Sequence, residues 1–428
     1  MSKFVVLIIG LALVSSISWG YASPQRDSCS LLQEDNDLSL KYYIALAVQE
    51  NGELRAAYDR WQAALAKADY ANTLPDPHLS YGLFLQEVET RVGPQKQRLG
   101  ISQTIPWLGK LRHRKNVAAQ DAVVAEEQFC SQYVSLVDRL KKAFYNYYYL
   151  SRAIKITQEN LTLLELVERV AQSQATVGGS IADVLQAQIE ISKLKDELDT
   201  LHERSTIAIA RINAILNRNV AEPIPLPPTL FDGLYTPQQV TETALTETNP
   251  ELRILCAEVI KQQLTQKLTH QNRFPDVTLG LDWIQTDRAI MPTPESGKDP
   301  VVAKLSLNVP IWQSTYRSQE KAAAYHARSA ADLFEQKKYV LQAELKDILL
   351  QYEEMDREVS LYKDVLMPQA EQTLYILQEA YEAGKADFER YLGAQRVLLD
   401  FQLKLEKARV QKASIIADYD ALLGRCGY

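Results

Sequence analysis

The sequence is poor in the side chains that build metal, redox and disulfide sites. Its 428 residues include four cysteines, four methionines and five histidines. Unpaired thiols are favoured over a disulfide framework, because the cysteines show no CxxC spacing. Neither the cysteines nor the histidines stand at metal-ligand spacing: Cys29, Cys130, Cys256, Cys426, His78, His113, His202, His270 and His326. We therefore predict no metal site and no cofactor.

Positive charge, catalytic patterns and long apolar runs are scarce as well. The 54 aspartates and glutamates outnumber the 47 lysines and arginines, which gives a net charge of −7 and an isoelectric point near 5.5. This balance argues against a nucleic-acid partner. No nucleophile–base pattern occurs, so we predict that the chain is not an enzyme. Beyond the N-terminus no run of about 18 apolar residues occurs, so a membrane segment would have to consist of β-strands.

Proline is missing between Pro106 and Pro223. Apolar residues recur there at steps of three and four, over a length far beyond the usual globular helix of about 8–20 residues. The one strong interruption is Val177-Gly178-Gly179-Ser180. Because glycine permits the reversal at a helix end, this pattern predicts two long antiparallel helices that meet at a tip around 176–182.

The first residues, 1–22, predict a secretory signal peptide. Lys3 precedes an apolar run, and Gly20 and Ala22 are small residues at the −3 and −1 positions of a cleavage site. The apolar run is too short to span a bilayer. The sequence therefore predicts an exported protein.

Alternation of apolar and polar residues, with Phe84 as an exception, marks two β-hairpins, at about 77–105 and 276–310. A period of two is typical of a strand with one apolar face, and a membrane barrel needs strands of about 9–11 residues. The apolar set is therefore predicted to face lipid: Leu79, Tyr81, Leu83, Leu85, Val277, Leu279, Leu281, Leu305 and Leu307.

The second half of the chain repeats the first. Asn51-Gly-Glu-Leu-Arg is echoed by Asn249-Pro-Glu-Leu-Arg, and Leu74-Pro-Asp by Phe274-Pro-Asp. This order predicts a tandem duplication. We divide the chain into a first repeat, a proline-rich extended linker and a second repeat whose tip lies at about 383–388 and whose long helix is kinked at Pro368: 23–222, 223–236 and 237–428.

In this order the motifs resemble the TolC-like outer membrane factors. The resemblance rests on Asn-x-Glu-Leu-Arg, Leu-Pro-Asp-Pro-x-Leu, Ile-Ser-Gln-Thr-Ile-Pro-Trp-x-Gly-Lys-Leu and a glycine turn followed by Asp-Val-Leu-x-Ala-Gln. It covers nearly the whole mature chain. The residues at 87–95 and at 106–110 are most similar to those of the branch that serves heavy-metal cation pumps.

The resemblance implies a mostly α protein with a small β part. Duplicated long antiparallel coiled-coil helices would carry two β-hairpins, and the four strands would join those of two further copies in a trimeric twelve-stranded transmembrane β-barrel. It also implies a bacterial outer membrane location with a periplasmic helical tunnel. The implied partners are two further copies, a periplasmic adaptor, an inner-membrane pump and outer membrane lipid.

The resemblance further implies that the two turns close the pore and meet the adaptor. The residues concerned are Gly178, Gly179, Asp183, Val184, Gly384, Lys385, Asp387 and Phe388. The plain alternative is that glycine only permits the turn and that aspartate caps the next helix. When the turns are aligned on Ala187-Gln188 and Ala394-Gln395, Asp183 falls opposite Arg390, so the two tips are not equivalent residue by residue.

Several functions stay open at this point. A passive duct for heavy-metal cations leads, and drug efflux or type I protein secretion by the same fold are alternatives. A periplasmic coiled-coil adaptor or scaffold would share the signal peptide and the helical hairpins. It would not need two amphipathic β-hairpins, so their alternation favours the duct.

Overall fold

The computed structural model describes residues 40–176, 178–227, 231, 234–290 and 294–424. The predicted signal peptide, Cys29 and Cys426 lie outside these residues. Within them the architecture is a helix pair, a β-hairpin and a long helical hairpin, and this plan occurs twice. The prediction of a mostly α protein with two β-hairpins is confirmed.

The first repeat begins with two helices, continues into a β-hairpin and ends with two long helices. Its elements are α1 Leu40–Glu50, α2 Gly52–Tyr70, β1 His78–Val88, β2 Gln95–Ile105, α3 Lys110–Thr176 and α4 Ile181–Ile215. The proline-free stretch thus forms two helices, and the longer one spans 67 residues.

The second repeat has the same order, with one irregularity. Its elements are α5 Glu242–Thr248, α6 Pro250–Gln271, β3 Val277–Thr286, β4 Val301–Leu307, α7 Gln313–Leu361, a π-helical turn Tyr362–Leu366, α8 Met367–Glu382 and α9 Phe388–Leu422. The π turn directly precedes Pro368, at the predicted kink. Proline lacks the backbone N–H of a regular helix, and irregular turns are common beside it.

The four strands form one antiparallel sheet in the order β1-β2-β3-β4. Within the first hairpin Leu79 pairs with Ile101, and within the second Leu279 pairs with Leu305. These are the same two positions of the repeat, so both hairpins share one register. Strands β2 and β3 join the repeats, with Ile105 opposite Val277. The outer edges of β1 and β4 have no strand partner within the described chain.

Each repeat is tied together by an asparagine at a helix start. Asn51 Oδ1 accepts a hydrogen bond from Leu54 N at 3.0 Å, and Asn51 Nδ2 donates to Ile215 O, at the end of α4, at 2.9 Å. Asn249 makes the matching bonds with Leu252 N at 3.0 Å and with Leu422 O, at the end of α9, at 2.7 Å. Both side chains are buried, and each one caps one helix while it satisfies the end of another.

Buried apolar side chains follow the long helices in separate clusters. One cluster is centred on Leu140, Phe144 and Ile212, a second on Leu345 and Tyr419, and a third lies at the hairpin tips. The linker joins the first cluster, because Ile224 is buried and its carbonyl accepts a hydrogen bond from Tyr147 Oη at 3.0 Å. Across the described residues, no helix combines the length and apolar character that a bilayer crossing requires.

Candidate functional site

The two helical tips are built by the same kind of turn. Gly178 has φ +108° and Gly384 has φ +67°, the left-handed backbone that glycine adopts without strain. After them, Gly179 N donates to Gln174 O and Lys385 N donates to Ala380 O, each at 2.8 Å. This is the Schellman pattern of a helix C-terminus. A side chain would meet no atom within 4 Å at Gly178 or Gly384, so the backbone angle alone demands glycine there.

The helices that follow the turns begin differently. Ser180 precedes α4, and its Oγ accepts a hydrogen bond from Ala182 N at 3.1 Å. Asp387 stands at the same position before α9, but its side chain makes no capping bond. Asp183 and Arg390 are the third residues of their helices, in agreement with the alignment on the Ala-Gln pairs. The expectation that aspartate caps α4 is therefore wrong, because serine occupies the N-cap.

Asp183 instead connects the two helical hairpins, α3–α4 and α7–α9. Tyr381 Oη, near the end of α8, donates to Asp183 Oδ2 at 3.3 Å. Burial, and then the neighbouring carboxylate of Asp183, raises the pKa of Tyr381 to about 12. The hydroxyl therefore stays protonated and able to donate at physiological pH. One such neutral-to-charged bond contributes about 1.5–3 kcal/mol at most.

The same tyrosine packs in an aromatic cluster at the tips. Its ring centroid lies 5.3 Å from that of Phe388 and 5.9 Å from that of Tyr391. Phe388 is buried, and Val184 is half-buried against this cluster. Gly178, Gly179, Gly384, Lys385 and Asp387 are exposed. The eight predicted tip residues thus divide into a packed group and an exposed rim.

A second polar link between the hairpins was not predicted from the sequence. Arg396 Nη2 on α9 lies 2.8 Å from Glu190 Oε1 on α4, and Arg396 Nη1 lies 3.3 Å from Glu389 Oε1. Burial would raise the pKa of Glu190, but hydrogen bonds from Lys193 and Arg396 outweigh it and lower that pKa. Single charged residues on amphipathic helices carry no pairing signal, so only the structure reveals this bridge.

The sheet has two unlike faces. Eight of the nine predicted lipid-facing side chains are exposed, and Val277 is half-buried. The other face carries Asp282, which is buried between Arg98 and Lys304. The exposed apolar rows are continuous across neighbouring strands, since Leu79 faces Ile101, which in turn faces Leu281. Contact of this face with lipid stays a prediction.

A polar junction joins the sheet to the helices where the repeats meet. Asp276 Oδ1 accepts hydrogen bonds from Trp107 N at 2.8 Å and from Lys110 Nζ at 2.7 Å. Lys110 is only 4% exposed, and its Nζ also donates to Phe274 O at 3.0 Å. The Trp107 and Phe274 rings stack at 5.3 Å. The Pro-Asp and Gly-Lys motifs of the sequence therefore meet in one junction.

The described residues contain no group of three or more histidine, cysteine, aspartate or glutamate side chains placed to hold a metal ion. Within the same residues, Cys130 is half-buried on α3 and Cys256 is exposed on α6, both as thiols. Packing, hydrogen bonds and ion pairs hold the residues at the tips and on the sheet.

Comparison with known proteins agrees with this arrangement. Residues 43–218 match the sequence profile of the family described as outer membrane efflux protein. A search of curated proteins gives no match. The fold is similar to that of the outer-membrane channel OprN, with a TM-score of 0.79 at 17% identity over 90% of this chain and 89% of that one.

Two further solved structures share the fold. The outer membrane protein VceC from Vibrio cholerae gives a TM-score of 0.74 at 16% identity over 90% of this chain and 96% of that one. CusC, described in terms of folding and transmembrane channel formation, gives 0.76 at 16% identity, with coverage of 90% and 92%. The protein therefore has the fold of TolC-like outer-membrane channels, and its residues 43–218 match the outer membrane efflux protein family.

Proposed function

We propose that this chain is the subunit of a passive outer-membrane duct in a tripartite efflux system. Three copies close a twelve-stranded barrel, and the long helices continue as a tunnel in the periplasm. The observation that carries this proposal is a sheet that has an exposed apolar face and, among the described residues, no strand partner at either edge. Lipid does not tolerate unpaired strand edges, so such a sheet needs copies of itself for closure.

The repeat supports a specific way of closing the barrel. Both hairpins share one register, and β2 pairs with β3 where the repeats meet. If β4 pairs with β1 of the next copy in the equivalent register, Leu307 faces Leu79 and Leu305 faces Tyr81. Apolar side chains then continue around the whole outer surface. This closure leaves no strand edge open to lipid.

Cross-linking tests this closure. In a chain whose native cysteines are replaced by serine, the pair Tyr81→Cys and Leu305→Cys should oxidise to a covalent trimer, because directly opposed Cβ atoms lie about 4.5–5.5 Å apart. The matched control, Leu85→Cys with Leu305→Cys, is displaced by four residues and should stay monomeric on a denaturing gel. Equal cross-linking of both pairs would contradict the register.

Cell fractionation separates the duct from its main structural alternative. A duct with an exported leader should partition with the outer membrane and resist extraction by salt. A periplasmic adaptor or scaffold, the competing proposal, would appear in the soluble periplasmic fraction instead. The exposed apolar rows on both hairpins favour the membrane fraction.

The tips are the proposed gate and adaptor-docking surface. The packed group holds the helical hairpins together through Tyr381, Asp183 and Phe388. The exposed rim includes Gly178 and Lys385, and a Cβ placed at Gly178 would meet no atom within 4 Å. Few interactions separate the closed from the open arrangement. An adaptor that binds the rim better in the open arrangement would shift the population toward it.

Heavy-metal cations are the proposed cargo, with drug efflux and type I protein secretion as alternatives. The support is the resemblance of 87–95 and 106–110 to the metal branch. A deletion strain tested against a panel of metal salts and drugs distinguishes these possibilities. Metal sensitivity alone supports the proposal. Drug sensitivity alone, or failure to export a protein substrate, supports one of the alternatives.

A passive duct leaves the choice of cargo to the pump and the adaptor, because a tight site would slow release. Replacement of all five histidines with glutamine should therefore leave metal efflux near normal in cells that carry the cognate pump. Loss of efflux with intact trimer assembly would instead reveal a ligand site in this chain.

A further inference from the structure

One face of the sheet carries three charged residues in contact. Asp282 on β3 accepts a hydrogen bond from Arg98 on β2 and forms an ion pair with Lys304 on β4. Asp282 directly faces Gly100 and Val302, so both cations reach its carboxylate along diagonals of the sheet.

The missing side chain of Gly100 makes room for this cluster. A Cβ at that position would lie 2.2 Å from Asp282 Oδ1 and 2.6 Å from Ser80 Oγ. The carboxylate therefore lies against the sheet, and Asp282 is 5% exposed. The side chains of Arg98 and Lys304 are 41% and 40% exposed. The anion is buried and the cations face the open space.

The cluster has one carboxylate for two cations. These neighbouring side chains of this face carry no charge: Ser80, Ser102, Thr104, Thr278, Ile284, Val302 and Ser306. His78, opposite Ser102, lies on the same face and adds no negative charge. One positive charge per chain is therefore left without compensation. This local balance is opposite in sign to the net charge of −7 of the whole chain.

We infer that Arg98, Asp282 and Lys304 form a charge-selective ring in the barrel lumen that favours anions over free cations. The inference rests on the proposed duct, in which the face opposite the apolar rows lines the pore, and not on the proposed cargo, because such a ring opposes the passage of free metal cations. Every copy then contributes the same uncompensated charge at the same depth. Rings of arginine and lysine act in this way in anion-conducting pores, because the local potential raises the concentration of the oppositely charged ion.

Ion selectivity in planar bilayers tests the ring. The full chain is reconstituted, and the reversal potential in a potassium chloride gradient gives the chloride-to-potassium permeability ratio. Lys304→Gln removes the surplus charge and should lower this ratio about twofold, a modest effect because salt screens the lumen. Asp282→Asn removes the anion and should raise the ratio. Lys298→Gln, an equal loss of charge at an exposed loop position, should leave it unchanged.

The helical tunnel also contributes to the permeability ratio. This contribution is the same in every variant, so it does not affect the comparison between them. Permeability ratios equal to that of the unsubstituted chain in both Lys304→Gln and Asp282→Asn would overturn the ring. If Asp282→Asn fails to assemble, Arg98→Gln takes its place and should lower the ratio as Lys304→Gln does. Failure of the unsubstituted chain to assemble as a membrane-embedded trimer, checked before the recordings, would overturn the proposed duct itself, which is a separate result.

Discussion

In both repeats an asparagine begins the second helix and holds the end of the last one. The bonds of Asn51 and Asn249 match atom for atom, and the hairpin registers are identical. At the start of the strands the repeats differ. Asp276 binds Trp107 and Lys110, whereas Asp76 is exposed and makes no hydrogen bond within the described residues. The asparagine bonds and the hairpin registers are thus alike in the two repeats, whereas the aspartates at the start of the strands are not.

The two aspartates differ because their neighbours differ. Asp276 lies at the junction with the first repeat, which is part of the same chain. Asp76 lies beside the free edge of β1, where the neighbour is proposed to be another copy. The position equivalent to Lys110 is Ser314, so the outer border also lacks the buried cation. The two borders therefore differ in their polar contacts, although the order of elements is the same in both repeats.

The largest effect is expected at that inner border. Asp276→Ala leaves Lys110 buried without its anion and should lower the free energy of unfolding by about 3–5 kcal/mol. Asp76→Ala removes no hydrogen bond or ion pair among the described residues and should change it by less than about 0.5 kcal/mol. Chemical denaturation of the detergent-solubilised subunit measures both. Equal losses would erase the distinction between the borders.

The contribution of the Asp276–Lys110 ion pair to stability should depend on pH. Burial would raise the pKa of Asp276, but hydrogen bonds from Lys110 and from Trp107 N outweigh it and hold the pKa below the ordinary value of 3.8. A lowered pKa gives stability that is complete above the ordinary value and is lost as the pH falls through the folded one. The Asp276→Ala loss should therefore be constant at neutral pH and shrink below about pH 4.

A somewhat smaller effect is expected on the exposed apolar rows. Leu281→Arg and its equivalent in the first repeat, Tyr81→Arg, should each cost about 2–4 kcal/mol if both positions face the lipid midplane. Assembly in lipid vesicles, followed on a semi-native gel, gives the comparison. Normal assembly of Leu281→Arg together with failure of Asp282→Leu would show that the faces are assigned the wrong way round.

The capping asparagines should give equal and moderate losses. Asn51→Ala and Asn249→Ala each remove an N-cap bond and a bond to a distant helix end, which together contribute about 1–3 kcal/mol. Thermal unfolding monitored by circular dichroism measures the two variants side by side. A loss confined to one repeat would contradict their equivalence.

The smallest effect is expected at the tips, and it should differ between the repeats. Asp183→Ala removes the hydrogen bond from Tyr381 and should shift the gate toward the open state by about 1 kcal/mol. Asp387→Ala removes only a 3.9 Å ion pair with Arg390 between highly exposed side chains, which contributes little. Single-channel conductance measures both. Two silent variants would leave these residues without a role in closure.

Much of this fold is visible in the sequence because its signals are local. The period of two in the strands, the missing prolines and the glycine turns each mark an element within a short window. The repeated motifs then give the order of the elements. The predicted strand and helix positions differ from the observed ones by only a few residues at their ends, where assignments are least certain.

The contacts that join the two repeats at the tips are made between residues far apart in the sequence. Arg396 meets Glu190, and Tyr381 meets Asp183, across about 200 positions of sequence. Both pairs consist of ordinary helix-surface residue types, and the pairing partner depends on how two long hairpins align. The N-cap of α4 is not fixed by the sequence either, since Ser180 and Asp183 are both residue types that suit that position.

The linker that joins the repeats also sets how the barrel can form. Because β2 and β3 belong to one chain, their encounter is unimolecular and its rate does not depend on protein concentration. The proposed pairing of β4 with β1 of another copy must instead be found by diffusion in the membrane. In the proposed duct, therefore, only the closure between copies responds to how many copies the cell makes.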